Sequence, residues 1–450
     1  MAIDYTDLTA LADTLKYVYG SGITNQFNDE KTTYNQFPTS ERQPRGLGYE
    51  FSIRNARAQG VGARGESMYL PDPLVGKFNK GRINPKYVYG VIRLTGPAIE
   101  AAKSDVASFV DGLSDSIDDI YQSVVVDLNR QSWGDGFGKV AELSATGTLD
   151  TNGTYTVTVK EDPGIRYLHE GMLVDFYNTA GSAPEFGTGA STKGYAAVAQ
   201  RILSIDPVTR KVKFESGAAT TYKTHHPRTS IAGATIASDI TLAKSAIMIK
   251  MGAREFGHAS TDTPIEMMGL SGIYDDGTLL DTFENIDADT YPKWGANVMS
   301  ASGVDRELSV DLLLQAMDLT RTQSGVTPNI MRMGLGQRRK YANLLLPDVR
   351  FQPSKLVGGY ETLTFANGDG SVEMIIDPVC LPGKIFMEPR GTIQKYEMSP
   401  LSWGNLDQQM HWRTGYDEWD MFLRIYTNLG VETRACLTLI SDLVEPSIYS

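Results

Sequence analysis

The residues most suggestive of chemistry are three glycines in the stretch GVGARG, at positions 60, 62 and 65. Their G-x-G-x-x-G spacing is that of a dinucleotide-binding turn, which needs a buried strand before it and a helix that begins within it. The preceding FSIRNARAQ is polar and basic, and the following ESMYLPDPLVGKFNKGRINP contains Pro71, Pro73 and Pro85. Because prolines at this density prevent a helix, the spacing does not predict a cofactor site.

Other reactive residue types form no catalytic or metal-binding pattern. The histidines have no nucleophile or carboxylate at a recognised spacing, and they are His169, His225, His226, His258 and His411. The acidic stretch from 275 to 289 lacks the alternating spacing of a calcium loop. Cys380 and Cys436 have no C-x-x-C partner, which favours two reduced thiols over a disulfide or zinc ribbon. We therefore predict no catalytic, cofactor-binding or metal-binding residues.

Composition and charge are those of a folded protein that does not bind nucleic acid tightly. Hydrophobic residues make up 41% of the 450 residues, charged residues 21%, and the formal net charge is −12. An acidic chain repels phosphate backbones, which argues against a DNA-binding module. The basic run from Arg338 to Lys340 favours a salt-bridged surface or a subunit contact over a DNA contact. The N-terminal stretch has no basic region followed by an apolar run, so we expect folding in the cytoplasm, without a membrane span.

A long basic loop comes before the longest helical pattern. Residues 49–54 and 86–93 have strand-like composition, and we expect them to pair as an antiparallel ribbon. The segment between them is rich in Gly, Pro, Arg and Lys, with few large hydrophobic residues, so it cannot bury enough of its own surface to fold alone. Its basic character suggests docking on a neighbouring copy. The candidate intersubunit contact residues are Arg54, Arg57, Arg64, Lys77, Lys80 and Arg82.

The rest of the chain predicts a mixed α and β architecture. Apolar residues at spacings of three and four from about Pro97 to Gln131 predict one helix of roughly 50 Å. Five strand-like runs between 141 and 250 suggest a small barrel or sandwich. Further on, SVDLLLQAMDLTRTQSG and GQRRKYANLLLPDV predict amphipathic helices, and TLTFANGDGSVEMIIDP predicts a hairpin.

This order of elements resembles the major capsid protein family of tailed bacteriophages, which has the Hong Kong 97-type capsid fold. The best local match is KYVYGVIRLTGPAIEAAKSD leading into VVVDLNRQSWGDGFG, within residues 86–138. A subgroup with a β insertion has stretches similar to GMLVD at 171–175 and GLSGI at 269–273. The resemblance implies an α+β fold with an extended β-hairpin loop (E-loop), a spine helix and peripheral (P) and axial (A) domains. The implied segments are an N-terminal arm (1–47), the E-loop (48–93), the P domain with the spine helix (94–140), an inserted β-barrel-like domain (141–250), the A domain (251–405), and P-domain return strands with the C-terminus (406–450).

The same resemblance implies a structural protein of the virion and not an enzyme. It implies self-assembly into pentamers and hexamers of an icosahedral head around double-stranded DNA, which the shell contacts weakly and non-specifically. The implied partners are other copies of the chain, a scaffolding protein, a portal and cement or decoration proteins, with assembly in the host cytoplasm and no membrane. Lys77 and Lys80 are available for the crosslink of some members, but its partner asparagine has no match, so we predict no crosslink. The alternatives are another phage structural protein, such as a tail-tube or decoration subunit, and a cofactor-binding enzyme.

Overall fold

The computed structural model describes most of the chain as two compact units. The described residues are 32–58, 60–72, 75–97, 112–145, 147–149, 155–178, 194–214, 246–256, 262–345, 364–366, 371–404, 411–412 and 415–446. Unit 1 comprises residues 1–29, 89–125 and 402–424, and unit 2 comprises 30–88, 126–401 and 425–450. His225 and His226, and the first part of the predicted spine helix at residues 98–111, lie outside the described residues.

The described elements alternate between strands and helices. The helices are α1 (Thr32–Gln36), α2 (Gly112–Gln131), α3 (Leu270–Ile273), α4 (Val310–Ser324) and α5 (Leu335–Leu345), with 3-10 turns at Pro292–Trp294 and Arg434–Cys436. The strands are β1 (Tyr49–Arg54), β2 (Phe78–Ile83), β3 (Lys86–Thr95), β4 (Lys139–Glu142), β5 (Thr148–Leu149), β6 (Tyr155–Thr158), β7 (Leu173–Asn178), β8 (Gly194–Asp206), β9 (Lys211–Phe214), β10 (Ile247–Lys250), β11 (Arg254–Phe256), β12 (Asp262–Pro264), β13 (Thr282–Phe283), β14 (Ile286–Asp287), β15 (Asn297–Met299), β16 (Ile330–Met333), β17 (Thr364–Ala366), β18 (Ser371–Ile376), β19 (Ile385–Glu388), β20 (Ile393–Trp403), β21 (His411–Trp412), β22 (Glu418–Val431) and β23 (Thr438–Ile440).

Unit 1 contains a strand and a helix that approach closely at a glycine. A Cβ built on Gly90 of β3 would stand 2.7 Å from Val124 Cγ2 and 2.9 Å from Ile120 Cγ1 of α2, so only glycine fits there without a shift. On β3 and its neighbour β22, Arg93 Nε donates to Asp420 Oδ1 at 2.7 Å. In this part of the chain, strand β3 is therefore fixed by packing on one side and by a cross-strand ion pair.

The five strand-like runs between 141 and 250 are strands of one seven-stranded sheet. Its order is β4-β10-β7-β8-β9-β6-β5. Leu143, just after β4, forms an antiparallel bridge with Val159, just after β6. The Lys160 N–H also donates to the Glu142 carbonyl at 2.7 Å. These bonds join β4 to β6 and close the strands into a small barrel, whose interior includes the T-shaped ring pair of Phe176 and Phe214 at 5.1 Å.

A six-stranded sheet with the order β15-β23-β19-β16-β18-β17 forms the second large layer of unit 2. Helices α4 and α5 contribute to its core with Leu313, Met317 and Tyr341. Both predicted helices are confirmed. Ser309 accepts from the Leu312 N–H at the start of α4, and Gly325 ends it with a left-handed φ of 75°. The predicted hairpin is also confirmed, because β17 pairs antiparallel with β18.

The predicted pairing of residues 49–54 with 86–93 is wrong. Strand β1 pairs with β2, with Tyr49 opposite Ile83 and Arg54 opposite Phe78, whereas β3 pairs with β22. Pro85 has no N–H to give to a ladder, and it separates β2 from β3. The antiparallel ribbon therefore consists of β1 and β2, and not of β1 and β3 as the composition suggested.

The described part of the predicted spine helix is α2, with 20 residues, which corresponds to about 30 Å at the standard helical rise. None of the helices in the described ranges is long and apolar enough to cross a membrane.

Candidate intersubunit surface

The hairpin of β1 and β2 has a ladder of six residue pairs, which includes the predicted contact residues Arg54, Lys80 and Arg82. The other three predicted contact residues lie between the two strands, and they are Arg57, Arg64 and Lys77. Gly81 lies opposite Phe51, and a Cβ at position 81 would overlap the Phe51 ring. Phe51 therefore lies flat across the glycine and closes the inner face of the hairpin. On the outer face, Arg82 Nε donates to Glu50 Oε1 at 3.0 Å.

The base of this hairpin is anchored to the rest of unit 2 by aromatic packing and hydrogen bonds. Phe51 packs against Trp294 with ring centroids 6.0 Å apart, and Tyr49 stacks on Tyr396 at 5.4 Å. Asn428 Nδ2 donates to the Asn84 carbonyl at 2.8 Å. These contacts fix the direction of the hairpin relative to the rest of unit 2.

Glu284 links the hairpin to β22 from a strained turn. The Arg82 N–H donates to the Glu284 carbonyl at 2.8 Å, and the Val431 N–H donates to Glu284 Oε1 at 3.0 Å. Glu284 and Asn285 have φ of 50° and 66°, which are unusual for residues with a side chain. Burial raises the pKa of the Glu284 carboxyl well above its usual range, although the Val431 N–H and the charge of Arg434 oppose that shift.

The tip of the hairpin exposes apolar side chains. Residues 60–72 form no helix or strand, and Tyr69 is 96% exposed and Leu70 84% exposed. Val61, Met68 and Val75 are also largely exposed. Arg64 Nε donates to the Tyr69 carbonyl at 3.0 Å, which holds the two residues close together. Exposed apolar groups of this kind make the tip a candidate for contact with another molecule.

All six predicted contact residues are exposed, but they differ in how they are held. Arg82 forms an ion pair with Glu50 of its own hairpin, and the Arg54 guanidinium lies 5.3 Å from the Phe78 ring centroid. Arg57, Lys77 and Lys80 have no ion pair with any of the residues that the structure describes. These three cations are therefore the most accessible to an acidic partner.

The GVGARG stretch lies in this exposed tip, with no strand directly before it and no helix after it among the described residues. The structure adds to the sequence analysis that Tyr69 and Leu70, two of the large hydrophobic residues of this loop, are exposed at its tip. In the sequence, the apolar tip is indicated only by this pair of an aromatic and an aliphatic residue just before Pro71. The pair did not predict a contact surface, because the prolines and glycines around it indicate only an irregular backbone.

Two buried charged side chains, which the sequence did not reveal, fasten the arm residues 33–37 to the body of unit 2. Asp377 Oδ2 accepts from Thr33 Oγ1 at 2.5 Å, from Trp133 Nε1 at 3.2 Å and from Asn129 Nδ2 at 3.4 Å. Arg332 donates from Nη2 to Glu388 Oε1 at 2.8 Å and from Nη1 to Gln36 Oε1 at 2.9 Å.

Arg332 also lies 4.5 Å from the Phe37 ring centroid. No sequence pattern distinguishes an arginine in the buried strand IMRM from a surface one.

The acidic stretch is used for turns. The Asp275 carboxylate accepts from the N–H groups of Gly277, Leu279 and Leu280 at 2.9 to 3.0 Å. No cluster of potential metal ligands occurs among the residues that the structure describes.

The basic run from Arg338 to Lys340 contains a surface ion pair. Lys340 pairs with Glu307 at 2.6 Å, as expected for a salt-bridged surface.

Comparison with known proteins gives the fold but no close relative. No family model matches the sequence, and no curated protein matches it either. The chain is similar to a solved structure described as the cyanophage A-1(L) capsid asymmetric unit, with 10% identity, a TM-score of 0.56, and coverage of 96% of this chain and 98% of that chain.

Weaker likenesses include the capsid of a native GTA particle, at 8% identity, a TM-score of 0.47 and coverage of 98% and 100%. The capsid of Myoviridae phage XM1 has 10% identity, a TM-score of 0.45 and coverage of 96% and 98%. The first likeness covers nearly all of both chains. The chain therefore has a phage capsid protein fold, which confirms the sequence-based resemblance at the level of the fold.

Proposed function

We propose that this chain is the major capsid protein of a tailed bacteriophage. In this proposal, copies assemble into pentamers and hexamers that form an icosahedral shell around double-stranded DNA. The observation that carries it is the fold likeness to the cyanophage capsid over 96% of the chain. The protein would act as a building unit of the virion, assembled in the host cytoplasm, and not as an enzyme.

The domain assignment is part of this proposal. The N-terminal arm would be 1–47, the E-loop 48–93, the spine-helix part of the P domain 94–140, the inserted β domain 141–250, the A domain 251–405, and the P-domain return strands and C-terminus 406–450. The closed barrel formed by β4 and β6 to β10 supports an inserted domain. The hairpin of β1 and β2, with its long exposed tip, supports the E-loop.

The E-loop would bind the neighbouring copy by two kinds of contact. Tyr69 and Leu70 would be buried against that copy, because burial of apolar surface is the main favourable term in association. The accessible cations Arg57, Lys77 and Lys80 would meet its acidic surface and set the orientation. Each contact is repeated in every copy of a closed ring, so weak contacts become strong together.

The acidic character of the chain suits a container for DNA. Asp118 and Asp119 are exposed on α2, and the net charge is −12. Such a surface would limit adhesion to the packaged DNA while permitting weak, non-specific contacts. A scaffolding protein, a portal and cement or decoration proteins would complete the particle.

The decisive experiment is electron microscopy of the purified protein, alone or with its scaffold. Rings or closed shells are expected, and a monomer under all assembly conditions would refute the proposal. A variant tests the loop: residues 57–75 are replaced by Asn-Gly, a turn suited to a two-residue hairpin. This variant keeps β1 and β2 paired, so it should fold and fail to assemble. Normal shells from this variant would show that the loop tip is dispensable.

A further inference from the structure

A groove of 830 Å³ runs along β1 in unit 2. One wall consists of four consecutive residues of the chain, Ser52 to Asn55. Successive side chains of a strand point to opposite faces, so a groove lined by consecutive residues lies along the edge of the strand. The other walls come from 292–297, from the end of α4 and from 432–435.

This edge of β1 is unpaired among the described strands. β1 belongs to a two-stranded sheet whose other member is β2. The Asn55 N–H donates to the Lys77 carbonyl on the β2 side, at 2.9 Å. In an antiparallel ladder the direction of the peptide groups alternates, so those of Ser52 and Arg54 point away from β2. An extended chain could add to β1 there through main-chain hydrogen bonds.

The groove also contains unused hydrogen-bond donors. Arg434 is fully buried, and its Nη1 has no acceptor among the residues that the structure describes, although its Nε donates to the Ile273 carbonyl at 2.9 Å. Asn55 Nδ2 is likewise buried without an acceptor in the described part of the chain. Both residues line the groove. Buried donors left unpaired are costly, so their common location indicates a ligand rich in acceptors.

The charges of the groove select an acidic ligand. Arg54, Lys293 and Arg434 line it, and its one carboxylate, that of Glu432, is already paired with Arg42 at 2.7 Å. The chain as a whole has 54 acidic and 42 basic side chains, so another copy of it offers the complementary charge. In a shell of the kind proposed above, every groove has such a copy beside it.

We propose that this groove binds an extended acidic segment of a second copy of the chain, which adds to the free edge of β1 as a third strand. The carboxylates of that segment face Lys293 and Arg54, and its oxygen atoms accept from Asn55 Nδ2. This inference rests on the proposed shell function, and it adds a specific receptor site to it.

Carbodiimide crosslinking of Lys293 tests the site directly. Shells are assembled from a mixture of unlabelled and heavy-nitrogen-labelled subunits, treated with a carbodiimide and analysed by mass spectrometry. Lys293 should be joined to a carboxylate peptide in pairs that combine a light and a heavy member. Lys340 is the matched control, because its contact with Glu307 lies within one subunit and should give pairs of one label. If shells form and Lys293 gives no mixed pairs, the inference is wrong and the shell function stands. If no shells form, the shell function itself fails.

An isosteric substitution provides the second test. Asn55→Asp replaces the unpaired donor by a carboxylate oxygen and breaks no side-chain hydrogen bond of the described chain. A buried carboxylate oxygen destabilises the free subunit, so assembly is compared at a temperature where thermal unfolding shows both proteins to be fully folded. Under that condition the variant should need a subunit concentration higher by about tenfold or more for assembly. Asn79→Asp on β2 introduces the same charge on the same hairpin and should assemble like the parent protein. Equal assembly of both variants would overturn the inference.

Discussion

At the scale of single residues, the most informative side chains are buried charges that join distant segments. Asp377 and Arg332 each contact groups from two segments far apart in the chain. Desolvation makes such groups unfavourable unless every polar atom finds a partner. They therefore specify one arrangement of the segments around them, and removal of one partner is far more costly than a surface change.

Asp377→Ala should lower the free energy of unfolding of the free subunit by about 3 kcal/mol. The substitution leaves Trp133 Nε1 and Thr33 Oγ1 without the acceptor that they share. Denaturant titration monitored by tryptophan fluorescence measures the loss. Asp318→Ala removes an exposed carboxylate from α4, and it should change stability by no more than about 0.5 kcal/mol. Equal effects of the two substitutions would contradict this account of Asp377.

The Glu284→Gln subunit should become more stable, relative to the parent protein, as the pH rises. Burial raises the pKa of the Glu284 carboxyl, so the folded state holds its proton above the pH at which the unfolded chain releases it. The stability of the parent protein therefore falls as the pH rises from the unfolded pKa, about 4.3 for glutamate, towards the folded pKa. The slope of that loss approaches about 1.4 kcal/mol per pH unit.

Glutamine keeps the acceptor for the Val431 N–H and does not ionise. Unfolding titrations of both proteins between pH 5 and pH 8 give the difference in stability. A difference that stays constant across this range would show that Glu284 does not titrate as its burial requires.

At the scale of elements, the sequence predicted structure well where the relevant interactions are local. Helix α4 has its cap at Ser309 and its left-handed end at Gly325, and both are readable from residue type. The antiparallel pair of β17 and β18 follows from a short glycine-rich turn. The partner of β1 was predicted wrongly because β2, with the sequence FNKGRI, has a loop-like composition, whereas β3 has a strand-like one. The choice between them depends on the fit of Gly81 to Phe51, which is a contact between strands and not a property of either one.

Gly81→Ala should therefore weaken the hairpin of β1 and β2. The added methyl group overlaps the Phe51 ring, and overpacking of this kind costs roughly 1–3 kcal/mol. Local hydrogen exchange of the hairpin amides should rise, and the global unfolding transition should shift less. Adding Phe51→Leu to the same chain removes most of the ring and should restore part of the protection. Undiminished protection in Gly81→Ala would mean that the ring does not pack over the glycine.

At the scale of the whole molecule, charge and apolar surface are distributed unevenly. The chain carries a net charge of −12, whereas its hairpin exposes Arg57, Lys77 and Lys80 and, at the tip, Tyr69 and Leu70. The sequence predicted the basic side chains of this surface from composition alone. It did not predict the apolar tip or the donors along β1, because exposure and missing partners are set by tertiary packing.

The double variant Tyr69→Ser/Leu70→Ser should separate folding from assembly. The two side chains are 96% and 84% exposed in the single chain, so the change should alter its unfolding free energy by no more than about 0.5 kcal/mol. In an assembly each lost side chain would remove roughly 1.5–3 kcal/mol of burial, and the loss recurs at every contact of a ring. Light scattering during assembly should then show no shells at concentrations where the parent protein forms them.

The control is Val208→Ser, at a site that is 69% exposed in the turn between β8 and β9. This variant should assemble normally. Shells from the double variant at the parent concentration would mean that the exposed tip is not what joins the copies.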